Sequence, residues 1–228
     1  MAAYLRRGCL AGLVGMVILS SGCNLIALPY FLLFGYDDRY PPECDKFDNP
    51  KEEVKVVLAA SVGPETRSEF MRADRDVCEL LARYLTKQYK ESKTKVVIVP
   101  PYQVENYKDK HPNWQCDLIA LGNAFHANYV INLDLDKMSL YPPGNTNTEL
   151  LQGQADVAIK VLDVHDSEES PVVFNKSWHF TYPPTGPEDR FDTPNPMQFR
   201  DKFLSHMVKD LSHFFASYTM DQKNAVGD

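Results

Sequence analysis

From Cys9 to Gly35 the chain carries no charged residue, and this stretch decides which part of it can build a water-facing fold. Arg6 and Arg7 precede it, and Leu10 to Leu19 is an apolar run of ten residues. That is the size of a secretory signal core, and it is too short to cross a bilayer, which takes about 20 residues. Apolar residues resume from Leu25 to Phe34. The whole stretch therefore has a second reading, as an uncleaved transmembrane anchor weakened by Ser20-Ser21-Gly22 and kinked at Pro29. In both readings Arg6 and Arg7 stay inside and the rest of the chain lies outside the cytoplasm.

Ser20-Ser21-Gly22-Cys23 follows the apolar run. Small residues before a cysteine resemble a bacterial lipobox, although Ser20 stands where that pattern has an aliphatic residue. The resemblance implies cleavage after residue 22 and a diacylglyceryl group on Cys23. Residues 25–34 would then lie on or in the bilayer beside the lipid, and the two anchors would reinforce one another. Asn24 does not look like an inner-membrane retention signal, so the outer membrane is the expected address. Removing residues 1–22 leaves 22 basic against 31 acidic side chains, a net −9. An acidic chain without a basic stripe argues against nucleic acid as a partner.

Residues 23–53 are expected to be anchor and tether, with 36–53 polar, rich in proline and without a period. Residues 54–220 are expected to form one domain, followed by a polar tail at 221–228. Of five cysteines, Cys44, Cys78 and Cys116 fall beyond the anchor. Cys78 sits on the apolar side of a predicted helix and reads as a buried thiol. Cys44 with Cys116 is a possible disulfide in an oxidising compartment.

The domain opens on Val54–Ser61, a short, continuous apolar run that reads as a buried strand. Pro64-Glu65 is the expected start of a helix carrying Phe70, Ala73, Val77, Leu81 and Leu85 on one face. Lys95–Val99 is a second strand, ended by Pro100-Pro101. Short helices are expected over 102–108 and 117–126. Tyr129–Asp136 and Leu151–Val161 alternate apolar with polar, and Val172–Tyr182 does so less strictly, so these strands each have one wet face. Asn195-Pro196 caps a last helix with Phe199, Phe203, Met207 and Leu211 as its stripe. The order is β-α-β-α-β-β-β-α. It gives an α/β two-layer sandwich, a mixed five-stranded sheet with helices mainly on one face.

Gly122-Asn-Ala-Phe-His-Ala-Asn-Tyr-Val-Ile131 and Gln152-Gly-Gln-Ala-Asp-Val-Ala-Ile-Lys-Val-Leu-Asp163 resemble the helix-to-strand junction and following strand of envelope lipoproteins of the TolB N-terminal, CsgG and LpoB kind. The resemblance covers residues 54–219 and implies a non-enzymatic role, either activating a partner or assembling into an envelope complex.

No catalytic constellation, metal-ligand spacing or cofactor motif is visible: Gly-x-Ser-x-Gly and glycine-rich phosphate loops are missing, and His206 and His213 lie seven apart on the last helix. Asp134 and Asp136 read as the wet side of a strand. One pattern stands out. Pro-Pro occurs beside tyrosine near three strand ends, which would gather Tyr102, Tyr141, Pro142, Pro143, Tyr182, Pro183 and Pro184 on one rim around the loop 144–148. Rigid tyrosine and proline loops suit a protein-binding surface. The expected function is that of a membrane-anchored, extracytoplasmic accessory protein that docks an envelope partner or assembles with itself. The alternative is a small-ligand-binding lipoprotein with its ligand at the C-terminal edge of the sheet.

Overall fold

A computed structural model describes residues 39–48, 50–66, 68–142, 150–166, 171–189 and 195–219. These belong to one unit, residues 39–228. The signal and anchor (1–22, Cys23, 25–34), Pro143, the loop 144–148 and the tail 221–228 lie outside the described residues.

The first long strand, β2 (Val54–Val62), follows a two-residue strand β1 (Arg39–Tyr40). Val56 through Ala60 are buried in unbroken succession. Val56, Leu58 and Ala60 point into one core, and Val57 and Ala59 into another. A strand reads as a continuous apolar run when both its faces are covered. Helix α1 (Ala73–Ser92) leads to the short strand β3 (Val96–Ile98). Helices α2 (Pro101–Lys110) and α3 (Leu118–Ala124) then lead to β4 (Tyr129–Ser139). The strands β5 (Leu150–Leu151), β6 (Gly153–Asp163), β7 (Val172–Tyr182) and β8 (Glu188–Asp189) come next. Helix α4 (Pro196–Ser212) and β9 (Tyr218–Thr219) close the chain.

The main sheet has the order β3-β2-β4-β6-β7. β2 runs parallel to β3 and β4, while β6 is antiparallel to both its neighbours. The expected mixed five-stranded sheet is present, with the two longer helices on one face of it and two shorter ones over part of the other. The chain steps from β2 to β3 in one direction and from β3 past β2 to β4 in the other. Two right-handed connections of opposite direction must pass on opposite faces. α1 and α4 cover one face and enclose the larger core. Val104 of α2, Leu121 of α3 and Trp114 enclose a smaller core over β2 and β4 on the other. Apart from the end of β6 near Leu162, which α3 reaches, the rest of that second face over β6 and β7 carries no helix among the described residues.

Three expectations change. Helix α1 starts at Ala73 rather than at Pro64. A 3-10 turn at Ser68–Phe70 instead seats Phe70, fully buried, against the ring of Phe203 at 5.7 Å. Burying one large aromatic is worth about 2 kcal/mol, enough to override a helix-start signal. Residues 39–48 belong to the domain and not to a free tether. Phe47 is buried between Tyr129 and Phe215, Cys44 N–H donates to the Phe214 carbonyl at 2.9 Å, and β1 pairs with β9. Cys44 and Cys116 are not a disulfide: Cys44 is buried in the larger core, and Cys116 is exposed beside Trp114 on the opposite face. Burial pushes the Cys44 thiol up to about 11 and that of Cys78, also buried, up to about 12, so both are poor nucleophiles.

Candidate functional site

The uncovered face of β4, β6 and β7 is built from cross-strand rows fixed by the register. Asn132 lies beside Lys160, which lies beside Asn175; Asp134 beside Ala158 and Ser177; Asp136 beside Asp156 and His179; and Ser139 beside Gln154 and Thr181. Ser61, at the end of β2, completes the second row opposite Asp134.

Within these rows the polar groups are wired together. Ser61 Oγ donates to Asp134 Oδ1 at 2.6 Å, and Asn132 Nδ2 donates to the same oxygen at 3.2 Å. Asn132 is only 5% exposed, and its Oδ1 is buried without a partner among the described residues. His179 Nδ1 lies 2.7 Å from Asp156 Oδ1, and His179 Nε2 lies 3.1 Å from Thr181 Oγ1. Lys137 Nζ approaches Asp156 at 3.7 Å and Lys160 Nζ approaches Asp134 at 4.0 Å.

Lys137 occupies the left-handed region at φ 49° where the β4–β6 register breaks. This is a bulge that bends β4 and re-aims the neighbouring side chains. Its backbone N–H donates to Asp136 Oδ1 at 2.9 Å. Gly63 abuts the same carboxylate: a Cβ there would lie 2.5 Å from Asp136 Oδ1. The result is an open depression of about 700 Å³, lined by Ser61, Gly63, Asp134, Asp136, Asp156 and His179 among others. A second depression of about 310 Å³ shares Lys137, Asp156 and His179 and adds Glu65, Tyr141, Pro142 and Gln154.

The carboxylate–imidazole–hydroxyl chain Asp156–His179–Thr181 has the order that activates a nucleophile in hydrolases. Here its carboxylate and imidazole side chains are 43% and 61% exposed. Water weakens the electrostatic coupling on which such a relay depends. The arrangement suits recognition of polar or cationic groups better than covalent chemistry.

The tyrosine and proline rim divides. β3 ends at Ile98, level with Tyr129 at the start of β4 through their common partner Val56. Tyr141 follows the far end of β4, roughly 30 Å further along at ~3.3 Å per residue. Tyr102, four residues beyond Ile98, does not line the depression that holds Tyr141. It is 64% exposed and sits in a different depression with Met71, Arg72 and Met197. Tyr141 and Tyr182 do share one end: Gln152 N–H donates to the Leu140 carbonyl, and Tyr182 pairs with Gly153. Both are half-buried against the larger core. Tyr182 stacks on His206 at 4.3 Å and lies 5.9 Å from Phe199, so much of its ring is spent on packing. Pro142 is half-buried, Pro183 buried and Pro184 exposed. Burial, with Lys202 and Lys209 nearby, lowers the pKa of His206, and its Nδ1 is buried without a partner among the described residues.

Sequence reasoning assigned nothing to Lys108, which is 8% exposed. Its ammonium donates to the Ala60 carbonyl at 3.0 Å, to Asp74 at 3.2 Å and to Glu105 at 2.7 Å. It also lies 4.8 Å from the centre of the Trp114 ring. Connections leave β2 and β3 toward opposite faces, and in open sheets ligands bind at such a parting. In this molecule Lys108 fills it. Lysine at a helix position gives no sign of burial, because the sign lies in which carbonyl the fold brings to it.

No protein-family model matches the chain, and no curated protein sequence matches it. Solved structures similar to it include a PelC dodecamer from Paraburkholderia phytofirmans, at 15% identity and a TM-score of 0.41, covering 78% of this chain and 95% of that one. Lipoprotein GNA1162 from Neisseria meningitidis matches at 8% identity and a TM-score of 0.41, covering 66% and 97%. The LpoB C-terminal domain from Salmonella enterica matches at 12% identity and a TM-score of 0.32, covering 60% and 88%.

Proposed function

We propose that this chain is an exported, membrane-anchored accessory lipoprotein of a bacterial envelope, non-enzymatic, with its domain held outside the cytoplasm to dock a protein partner or further copies of itself. The observation that carries this reading is Ser20-Ser21-Gly22-Cys23 directly after the apolar run Leu10–Leu19 and the pair Arg6-Arg7. A domain entered at residue 39 leaves residues 24–38 as the span between the lipidated cysteine and the fold. The outer membrane is the proposed address.

The deciding experiment is the mass of the mature protein extracted from membranes, beside a Cys23→Ser version. The expected result is an N-terminus at residue 23 carrying lipid, with Cys23→Ser left uncleaved. An intact chain from Met1 without lipid sinks the lipoprotein and leaves residues 9–35 as a membrane-spanning anchor.

The adjoining depressions around Asp156 and His179 favour a second reading, in which the domain binds a small polar ligand between the end of β2 and the open face. This differs from an apolar pocket at the tyrosine end. Both depressions are shallow and lined with charge, which suits a hydrated, cationic or hydroxyl-rich molecule.

A further inference from the structure

β7 forms one edge of the five-stranded sheet: β6 pairs with one side of it, and among the described residues no strand pairs with the other. A long unpaired edge is a template for strand addition, so proteins guard such edges with short strands, lysine, proline or bulges. The opposite edge is guarded in this way. β3 has three residues, with Lys95 before it and Pro100-Pro101 after it. β7 has eleven residues. Its register irregularity is confined to Val172–Phe174, and its flanking prolines, Pro171 and Pro183, stand outside the strand, which leaves Phe174–Tyr182 without bulge or proline. Its one lysine, Lys176, does not guard the edge, because its ammonium pairs with Glu43 and lies 4.4 Å from the centre of the Phe214 ring. Phe174 and Trp178 on this strand are half-buried, and Val172 is 39% exposed.

We propose that β7 is a self-association edge: a second copy of this chain adds its own β7 antiparallel to the first, across a two-fold axis at Ser177, and joins the two sheets into one. The occupant follows from the strand's own sequence. Ser177 is the midpoint of β7, and this axis pairs the regular stretch Phe174–Phe180 with itself. It sets Lys176 opposite Trp178 and Phe174 opposite Phe180 on the helix-covered face. On the open face it sets Asn175 opposite His179. Aromatic rings meet across the axis, and no like charges lie directly opposite one another. Moving the axis to residue 176 would put Lys176 against itself. An axis between two residues would set the covered face of one copy against the open face of the other. The two charged depressions then lie on the same side of one continuous sheet. The inference does not depend on the lipid at Cys23; an unlipidated chain that pairs in this way leaves it standing.

The test uses the full-length chain in detergent, in a Cys9→Ser, Cys23→Ser, Cys116→Ser background that removes the exposed thiol of the described residues and both N-terminal ones. Across the axis the two copies of residue 177 have Cα atoms about 4.5–5.5 Å apart, within disulfide reach. Ser177→Cys is expected to give a covalent dimer on mild oxidation, above the level of the background chain. Asn175→Cys and His179→Cys are each expected to stay single alone and to cross-link when mixed. By light scattering the wild-type protein component is expected at twice the chain mass, and Ser177→Lys is expected to halve it without loss of circular dichroism, since Ser177 is exposed. A wild type of single-chain mass at every concentration overturns the proposal. So does cross-linking by Asn175→Cys alone with none by Ser177→Cys.

Discussion

The two halves of the sheet are built on opposite terms. β2, β3 and β4 run parallel, and on β2 side chains of both parities are buried, Val56 and Leu58 into one core, Val57 and Ala59 into the other. β6 and β7 run antiparallel, and from Gly153 to Val161 on β6 only one parity is buried: Ala155, Val157, Ile159 and Val161 face the helices while Gln154, Asp156, Ala158 and Lys160 face outward. The closed half buries the Lys108 ammonium against three specific acceptors. The open half leaves a polar face and a long edge for other molecules. In this fold, strand direction therefore separates the part that supplies stability from the part that offers surface.

The sharpest way to break that comparison is to remove the clamp of the closed half. Lys108→Met leaves Asp74 and Glu105 without their shared cation and the Ala60 carbonyl without its donor. Breaking a buried pair from one side costs about 3 kcal/mol, read from the denaturant midpoint. A loss below about 1 kcal/mol would mean that the closed half does not depend on this lysine.

A matched pair of substitutions on the same face is expected next in size. Val57→Ala, under the smaller core, is expected to cost about 2 kcal/mol, whereas Lys160→Ala, on the open part, stays within about 0.5 kcal/mol. Equal losses would erase the distinction between the halves.

The smallest expected effect lies where the open half meets α4. His206 stacks on Tyr182, and burial lowers its pKa below the ordinary 6.5. The unfolded chain therefore takes up the proton first as the pH falls, so stability drops as pH falls from about 6.5 toward the lower folded value and rises again as pH goes up through that window. His206→Phe keeps a ring on Tyr182 and is expected to flatten this part of the profile, measured as the difference in denaturation midpoint between the two proteins at pH 8 and pH 5. An unchanged slope would remove His206 from the account.

Much of this division is legible in the sequence. The unbroken run Val54–Ser61 marks a doubly covered strand, the alternation from Leu151 to Val161 marks a half-open one, and Asn195-Pro196 starts α4, with Asn195 accepting the Met197 N–H at 2.9 Å. What escapes is whatever depends on register or strand order. Asp156 and His179 are 23 residues apart and meet only because β6 and β7 pair in one particular phase. Tyr102 looks equivalent to Tyr141 and Tyr182 until β3 is found to end level with the start of β4. Helices on both faces follow from the order β3-β2-β4, which no local pattern encodes. Residues 39–48 look like a linker because Phe47 and Cys44 are isolated apolar residues in a polar segment, and only the ends of β4 and α4 give them a site.

β1 and β9 bring the entry and the exit of the described domain side by side, with Tyr40 stacked on Tyr218 and Arg39 opposite Thr219. Mechanically this is a clip. Tension applied through residue 38 reaches the two rungs of β1 first, then the Cys44–Phe214 hydrogen bond, then Phe47, before any strand of the main sheet carries load. Under the proposed anchoring, a pull through residue 38 would thus open the clip first and lengthen the reach of the domain by several residues, at ~3.3 Å each, before the five-stranded sheet is loaded.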